Sequence, residues 1–328
     1  MARLIAGRLL AAPVLLLAVL TLVFVLVEAA PGSPADTILG DRPVPGEVRA
    51  SVEAAWGLDR PPAERYVRWL GSALRGDLGW SVSRGRPVTE VLARALPPTL
   101  ALSALALALH LIAGLALAVG GALGRGRWPD RLASALGLAL YATPPFWLGL
   151  VAILAFAYAV PLFPPAGSRT IGSEGWPLPA RLFDLARHAV LPALVLGLGS
   201  AASLARHVRS GLLDAASEGF VRAARARGAG TRRALLAHAL RAALVPAIQL
   251  TGIALPVLVS GSLAVEVVFG WPGMGRLAWD AATAEDVPVV LAATLLASLL
   301  VVGGSLISDV GAALADPRIR LGGRGDGR

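Results

Sequence analysis

Serine, histidine, cysteine and carboxylate side chains at fixed separations carry most hydrolytic and metal chemistry, and this sequence offers few such sets. Its four histidines, His110, His188, His207 and His238, stand at no metal-ligand spacing, and no HExxH occurs. Gly199–Ser200 and Ser260–Gly261–Ser262 would suit a membrane-embedded serine hydrolase. No GxSxG elbow accompanies them, and small residues in apolar helices more simply let helices approach closely. The absence of cysteine excludes disulfides, thiolate metal sites and a cysteine nucleophile. A phosphate-binding GxxxxGK[ST] loop is excluded as well, because all 30 basic residues are arginine. The chain is therefore expected to bind no cofactor or metal and to hydrolyse no ATP itself.

The densest chemistry-bearing stretch runs SEGFVRAARARGAGTRRALLAHALR from Ser217 to Arg241. At helical spacing Phe220, Val221 and Ala224 share one face, while Arg222, Arg225 and Arg227 project elsewhere. Gly228 and Gly230 then interrupt the helix, and a second apolar segment, Ala234–Leu240, follows. An apolar and basic knob of this kind suits docking to a partner protein or to anionic lipid, and periodicity does not choose between them.

The elements around it are set by hydropathy. Of the 328 residues 56% are hydrophobic and only 16% charged, and the mean hydropathy is +0.69, against about a quarter charged in average soluble domains. Charge-free runs occupy Leu9–Val27, Thr99–Leu123, Leu132–Val160, Ala189–Ala205, Ala242–Val265 and Val287–Ser308. Each approaches or exceeds the roughly 20 residues that cross a bilayer as a helix, and none shows the alternation of a barrel strand. The fold class is an all-α membrane protein with about six transmembrane helices. Lipid bilayer is thus the first partner, and the pI near 11.3 does not signal nucleic acid, since the arginines cluster beside apolar spans. The first run, with Pro13 inside it and Ala29–Ala30 after it, reads as an uncleaved helix rather than a signal peptide, because its 19 residues exceed a signal core. His110, in the second run, is the one ionisable side chain within any span, and reads either as a pathway group or as a neutral imidazole bonded across the bundle. Pro144–Pro145, Pro192, Pro246 and Pro256 mark sites where helices can kink.

Charge sets the orientation. With the N-terminus inside, the inner connections (1–8, 124–131, 206–241 and the tail from Asp309) hold 17 arginines against six acids, while the outer stretches hold 13 against 15. That is the positive-inside arrangement, with both termini cytoplasmic. The expected organisation is an N-terminal transmembrane helix (1–30), an external cap (31–97) with short helices at Gly57–Arg68 and Ala73–Leu78, a transmembrane core (98–314) with the basic loop at about 206–241, and a cytoplasmic tail (315–328).

At this point the residues resemble a known family. Ala223–Ala224 and Gly228 sit at the spacing of the EAA loop of binding-protein-dependent ABC importer permeases, with Arg222 in the Glu position, His238 in the Ile position, Leu240 kept and Arg241 replacing Pro. The variant is similar to that of the dipeptide/oligopeptide/nickel branch, which reads (R/T)-A-R-A-K/R-G and then H-A-L-R. Other stretches resemble that branch in the same order: Arg8–Leu10 with Pro13 and Pro31–Gly32; Gly76–Asp77–Leu78–Gly79 with Ser81; Arg94 with Pro97–Thr99; Glu266, Phe269 and Trp271–Leu277; and Asp316–Arg320. The match points to the first (B-type) permease subunit.

The resemblance implies a type I importer bundle in the cell (inner) membrane, working with a second homologous permease, two ATPase subunits that carry ATP and Mg, and an extracytoplasmic solute-binding protein. It implies an ATPase-coupling role for Phe220, Val221, Arg222, Ala223, Ala224, Arg225, Arg227, Gly228, His238 and Arg241. It also implies an external motif at Trp271, Pro272, Gly273, Gly275 and Arg276. The substrate class is di- or oligopeptides, or nickel or another small solute by the same mechanism. A stand-alone secondary transporter is the contrasting reading, and it should show inverted repeats with midplane ion sites.

Overall fold

The computed structural model describes residues 2–29, 39, 45–228, 230, 233, 235–240 and 263–315. Most of the chain is helix: α1 (Ala2–Glu28), α2 (Gly46–Trp56), α3 (Pro62–Ala73), α4 (Val88–Leu123), α5 (Trp128–Ala142), α6 (Pro145–Ile153, continued by a π-helical turn, Leu154–Ala159), α7 (Leu178–Ser217), α8 (Gly219–Ala226), α9 (Leu263–Val268), α10 (Met274–Thr283) and α11 (Val287–Ala315). Two two-residue strands, β1 (Trp80–Ser81) and β2 (Arg86–Pro87), pair antiparallel in a small hairpin directly before α4.

α1, α4, α7 and α11 are each long and apolar enough to cross a membrane, and α5 with α6 supplies a fifth crossing if the two are one span. The third charge-free run is therefore not a straight helix: α5 and α6 meet at 108° across Thr143–Pro144. Pro144 stands outside both helices and Pro145 opens α6, so the backbone leaves the helical path where ring closure removes donors. Pro13, Pro97, Pro98 and Pro192, by contrast, lie within continuous helices. The fifth charge-free run, with Pro246 and Pro256, lies outside the described residues apart from its last three.

The fourth run also changes meaning. Its 17 uncharged residues sit inside a helix of 40, α7, which at 1.5 Å per residue is about 60 Å long and overshoots a hydrocarbon core of about 30 Å at both ends. Side-chain pairing lets charged residues continue the helix, as the contacts of Asp184 and Arg209 below illustrate. In the external segment the expected helices are displaced. The first is 46–56 and ends where Gly57 turns left-handed (φ 67°), the second begins at Pro62, and 74–79 is a turn with Gly76 and Gly79 both at φ 86°.

α4 and α7 form the central pair. Gly197 lets the helices touch: a Cβ there would lie 2.7 Å from the Ala106 carbonyl oxygen. Gly114 faces Leu204 in the same way, with 2.6 Å to its Cδ2. Around this pair the core forms patches that bind α10 and α11 to the start of α4 (Val88, Leu92, Leu277, Val289) and α8 to its far end (Ala118, Ala122, Val208, Val221). α4 and α11 both start at the hairpin, because Ser81 Oγ and Ser83 Oγ donate to Asp286 Oδ2 at 2.6 and 2.7 Å, one residue before α11. At the other end Arg8 pairs with Asp309 at 2.8 Å, which brings the start of α1 beside the end of α11. The bundle thus has a hairpin end and an arginine end.

Candidate functional site

α8 follows α7 after a single extended residue, Glu218 (φ −69°, ψ 153°), which turns the chain. Among the expected coupling residues the structure separates anchors from displayed groups. Val221 and Ala224 are buried at 1% and 4% exposure. Val221 packs with Ala118 and Ala122 of α4 and with Leu212 and Ala215 of α7. Arg222, Ala223 and Arg227 are exposed. The apolar part of the expected knob, as far as it is described, is turned inward and fastens the helix, while the outer face carries arginine and alanine. Gly228 has φ 89°, and among the described residues beyond its chain neighbours no atom lies within 4 Å of where a Cβ would stand, so backbone conformation is the observed demand for glycine there. Leu235–Ala239 forms a π-helical turn whose Ala239 is fully buried in the same patch as Val221. The side chains of Phe220, Arg225 and His238, and all of Arg241, lie outside the described residues.

The foundation of α8 includes residues that carry no local signal. Asp130 stands in the first turn of α5, where a carboxylate favours the exposed N–H groups of a helix start. Arg209 of α7 grips it with both ends of the guanidinium, Nε to Oδ1 at 2.8 Å and Nη2 to Oδ2 at 2.7 Å, and Gly126 N–H donates to Oδ2 at 3.0 Å. The partners are 79 residues apart in sequence.

At the hairpin end the residues Trp271–Arg276 form a tight turn around one carboxylate. Glu266 is fully buried; its Oε1 accepts from Thr99 Oγ at 2.9 Å and its Oε2 from the Arg276 N–H at 3.0 Å, at the start of α10. Met274 N–H donates to Thr99 Oγ at 2.7 Å, and the buried Trp271 donates Nε1–H to the Pro98 carbonyl at 3.0 Å. Gly273 and Gly275 are needed for space: a Cβ at Gly273 would lie 2.4 Å from Glu266 Oε1, and one at Gly275 would lie 2.9 Å from the Leu263 Cα. Arg276 reaches back to the Gly270 carbonyl at 2.8 Å, while Pro272 is exposed. The turn thus staples α9 and α10 to the start of α4. Glu266 and Thr99 carry it as much as the expected Trp271 and glycines.

His110 is buried at 2% exposure between α4 and α7, with Nδ1 2.9 Å from Ser200 Oγ. The serine hydroxyl also lies 3.1 Å from Leu196 O and Gly197 O of its own helix, and the imidazole tautomer decides whether ring or hydroxyl donates across the pair. The contact ties α4 to α7 across the bundle. Among the described residues no group of His, Asp and Glu has metal-site geometry.

Comparison with known proteins settles the class. Residues 110–321 match the family described as "Binding-protein-dependent transport system inner membrane component", and residues 1–103 match that described as "Binding-prot-dependent transport system membrane comp, N-term". The chain belongs to this permease family. The permease is 37% identical to the oligopeptide transport system permease protein AppB of Bacillus subtilis over 93% of this chain and 95% of that protein. It is 36% identical to the glutathione transport system permease protein GsiC of Salmonella paratyphi A over 93% and 94% of the two chains. Its fold is shared with a chain of the MetNI methionine ABC transporter in an inward-facing conformation, with a TM-score of 0.52 and 21% identity over 70% of this chain and 97% of that one. The permease is a type I importer bundle of the inner membrane, a translocation component and not itself a catalyst.

Proposed function

We propose that this permease forms half of the translocation pathway of an ATP-driven importer of di- and oligopeptides. The observation that carries the reading is α8: a short helix whose exposed residues include arginines, anchored by Val221 and Ala224 to the core and joined through one residue to the 40-residue α7. In this reading α8 is the coupling helix, seated on one of two separate ATPase subunits that hold ATP and Mg. Closure of the ATPases displaces α8, and α7, a continuous rod, carries the displacement through the membrane. Gly228 redirects the chain so that the following segment returns to the bundle. A second homologous permease completes the pathway, and an extracytoplasmic binding protein delivers the solute to the hairpin end. The arginine end, with both termini, faces the cytoplasm, as the distribution of arginine favours.

The peptide class is supported by relatives named for oligopeptide and glutathione transport, glutathione being a tripeptide. Purification of the tagged permease from its native membrane should bring down one similar-sized membrane protein and two P-loop ATPase subunits. Proteoliposomes holding that complex should take up labelled peptides only with ATP and binding protein. Uptake by the permease alone, driven by an ion gradient, would refute the reading, and ATP-driven uptake of nickel without peptide would correct the substrate.

A further inference from the structure

The Asp130–Arg209 pair lies where three elements converge on the root of the coupling helix. The Asp130 side chain is 8% exposed and that of Arg209 30%, whereas in the Arg84–Asp280 ion pair the acid and base side chains are 42% and 41% exposed. Both carboxylate oxygens are held by one guanidinium, the geometry that fixes orientation as well as charge. α4 makes room for it: a Cβ on Gly121 would lie 3.0 Å from both Arg209 Cδ and Asp130 Oδ1. One helical turn earlier on α7, Arg206 lies over the ring of Tyr141 of α5 at 5.0 Å from its centroid. Midway along α5, between Asp130 and Tyr141, the two helices also run close, and a Cβ on Gly137 would meet that of Ala202 at 3.4 Å. Thus α5 is fastened to α7 along its length, up to the Thr143–Pro144 break where α6 departs at 108°.

We propose that Asp130 and Arg209 are positioning residues for transport: they make α5 travel with α7 when α8 is displaced, so that the stroke reaches the break before α6 and is spent in changing the angle there. The inference rests on the coupling role of α8. Arg209 sits nine residues before Glu218, so the clasp grips α7 about 14 Å from the root of α8. Without it α7 moves past α5, the ATPases still cycle, and the pathway no longer follows.

The test uses the assembled transporter in proteoliposomes and reads solute taken up per ATP hydrolysed. Asp130→Asn and Arg209→Gln should assemble and hydrolyse ATP but lose at least tenfold in uptake per ATP, and Arg209→Lys, which keeps charge but not the fork, should fall between. The sequence has no cysteine, so the pair Gly137→Cys with Ala202→Cys can be added alone, at a Cβ separation close to that of a disulfide. Oxidising this pair in the Asp130→Asn background should restore most of the lost coupling, and reduction should remove it again. A stability effect alone would show as poor assembly without this redox-dependent recovery.

Normal uptake per ATP in Asp130→Asn, or loss of transport on oxidising the cysteine pair in the otherwise unaltered chain, would overturn the clasp while leaving the ATP-coupled reading intact. Uptake by the unaltered complex without ATP would instead overturn the coupling reading itself.

Discussion

At the scale of single residues, two kinds of glycine must be told apart. Gly228 needs a left-handed backbone (φ 89°), so the side chain's tolerance of that conformation decides the outcome. Gly228→Asn should keep most uptake, while Gly228→Val and Gly228→Trp should abolish it with the protein still inserted, as read by transport in cells. Gly273 has an extended backbone but no room beside the Glu266 carboxylate. Gly273→Ala should therefore destabilise the permease by about 1–3 kcal/mol through overpacking, measured by thermal unfolding in detergent. Glu266→Gln should cost a similar amount: its oxygens accept from the Thr99 hydroxyl and the Arg276 N–H, and an amide NH2 turned toward Thr99 would force that hydroxyl, already accepting from Met274 N–H, to send its own proton elsewhere.

At the scale of elements, α8 is held by very little. Its described anchors are Val221 and Ala224, and its displayed groups include Arg222, Ala223 and Arg227. Ala224→Arg should force the helix off its seat, since a guanidinium replaces a methyl group at 4% exposure. The expected result is an inserted permease that still pairs with its homologue but transports nothing. Arg222→Ala and Arg227→Ala should act differently. They leave the seat intact and weaken only the grip on an acidic partner, so their effect should be largest at low salt and shrink as screening rises, measured as ATPase co-purification at rising ionic strength. Equal loss at all salt concentrations would place these arginines outside the contact.

At the scale of the whole molecule, the arginine and hairpin ends make a topological prediction. Arg8 and Asp309 meet, so reporters fused near residue 8 and after residue 315 should both read as cytoplasmic, and one inserted near residue 59 as external. Much of the architecture was readable beforehand, because a bilayer tolerates little besides long apolar helices. Hydropathy located α1, α11 and the end of α4 closely, but it missed the first eleven residues of α4 and both ends of α7. The ends escaped because a hydropathy pattern stops at charge, and only packing reveals that Arg209 is neutralised by a partner on another helix. The short helices before the hairpin were misplaced by several residues, since Gly57 ends one helix and Pro62 opens the next where a single helix from Gly57 to Arg68 was expected.

The basic loop and the Trp271–Arg276 turn were likewise recognisable as motifs, yet their mechanics were not. Composition and short motifs in order were enough to establish the medium, the approximate spans and the family. Tertiary structure decided which members of each motif are anchors and which are displayed. It decided that the third charge-free run is two helices meeting at 108° rather than one kinked helix. It also paired Asp130 with Arg209, Thr99 with Glu266 and Ser81 with Asp286. Those pairs span 79 to 205 residues of chain, and a single sequence gives no local pattern for a contact that exists only once distant helices have packed.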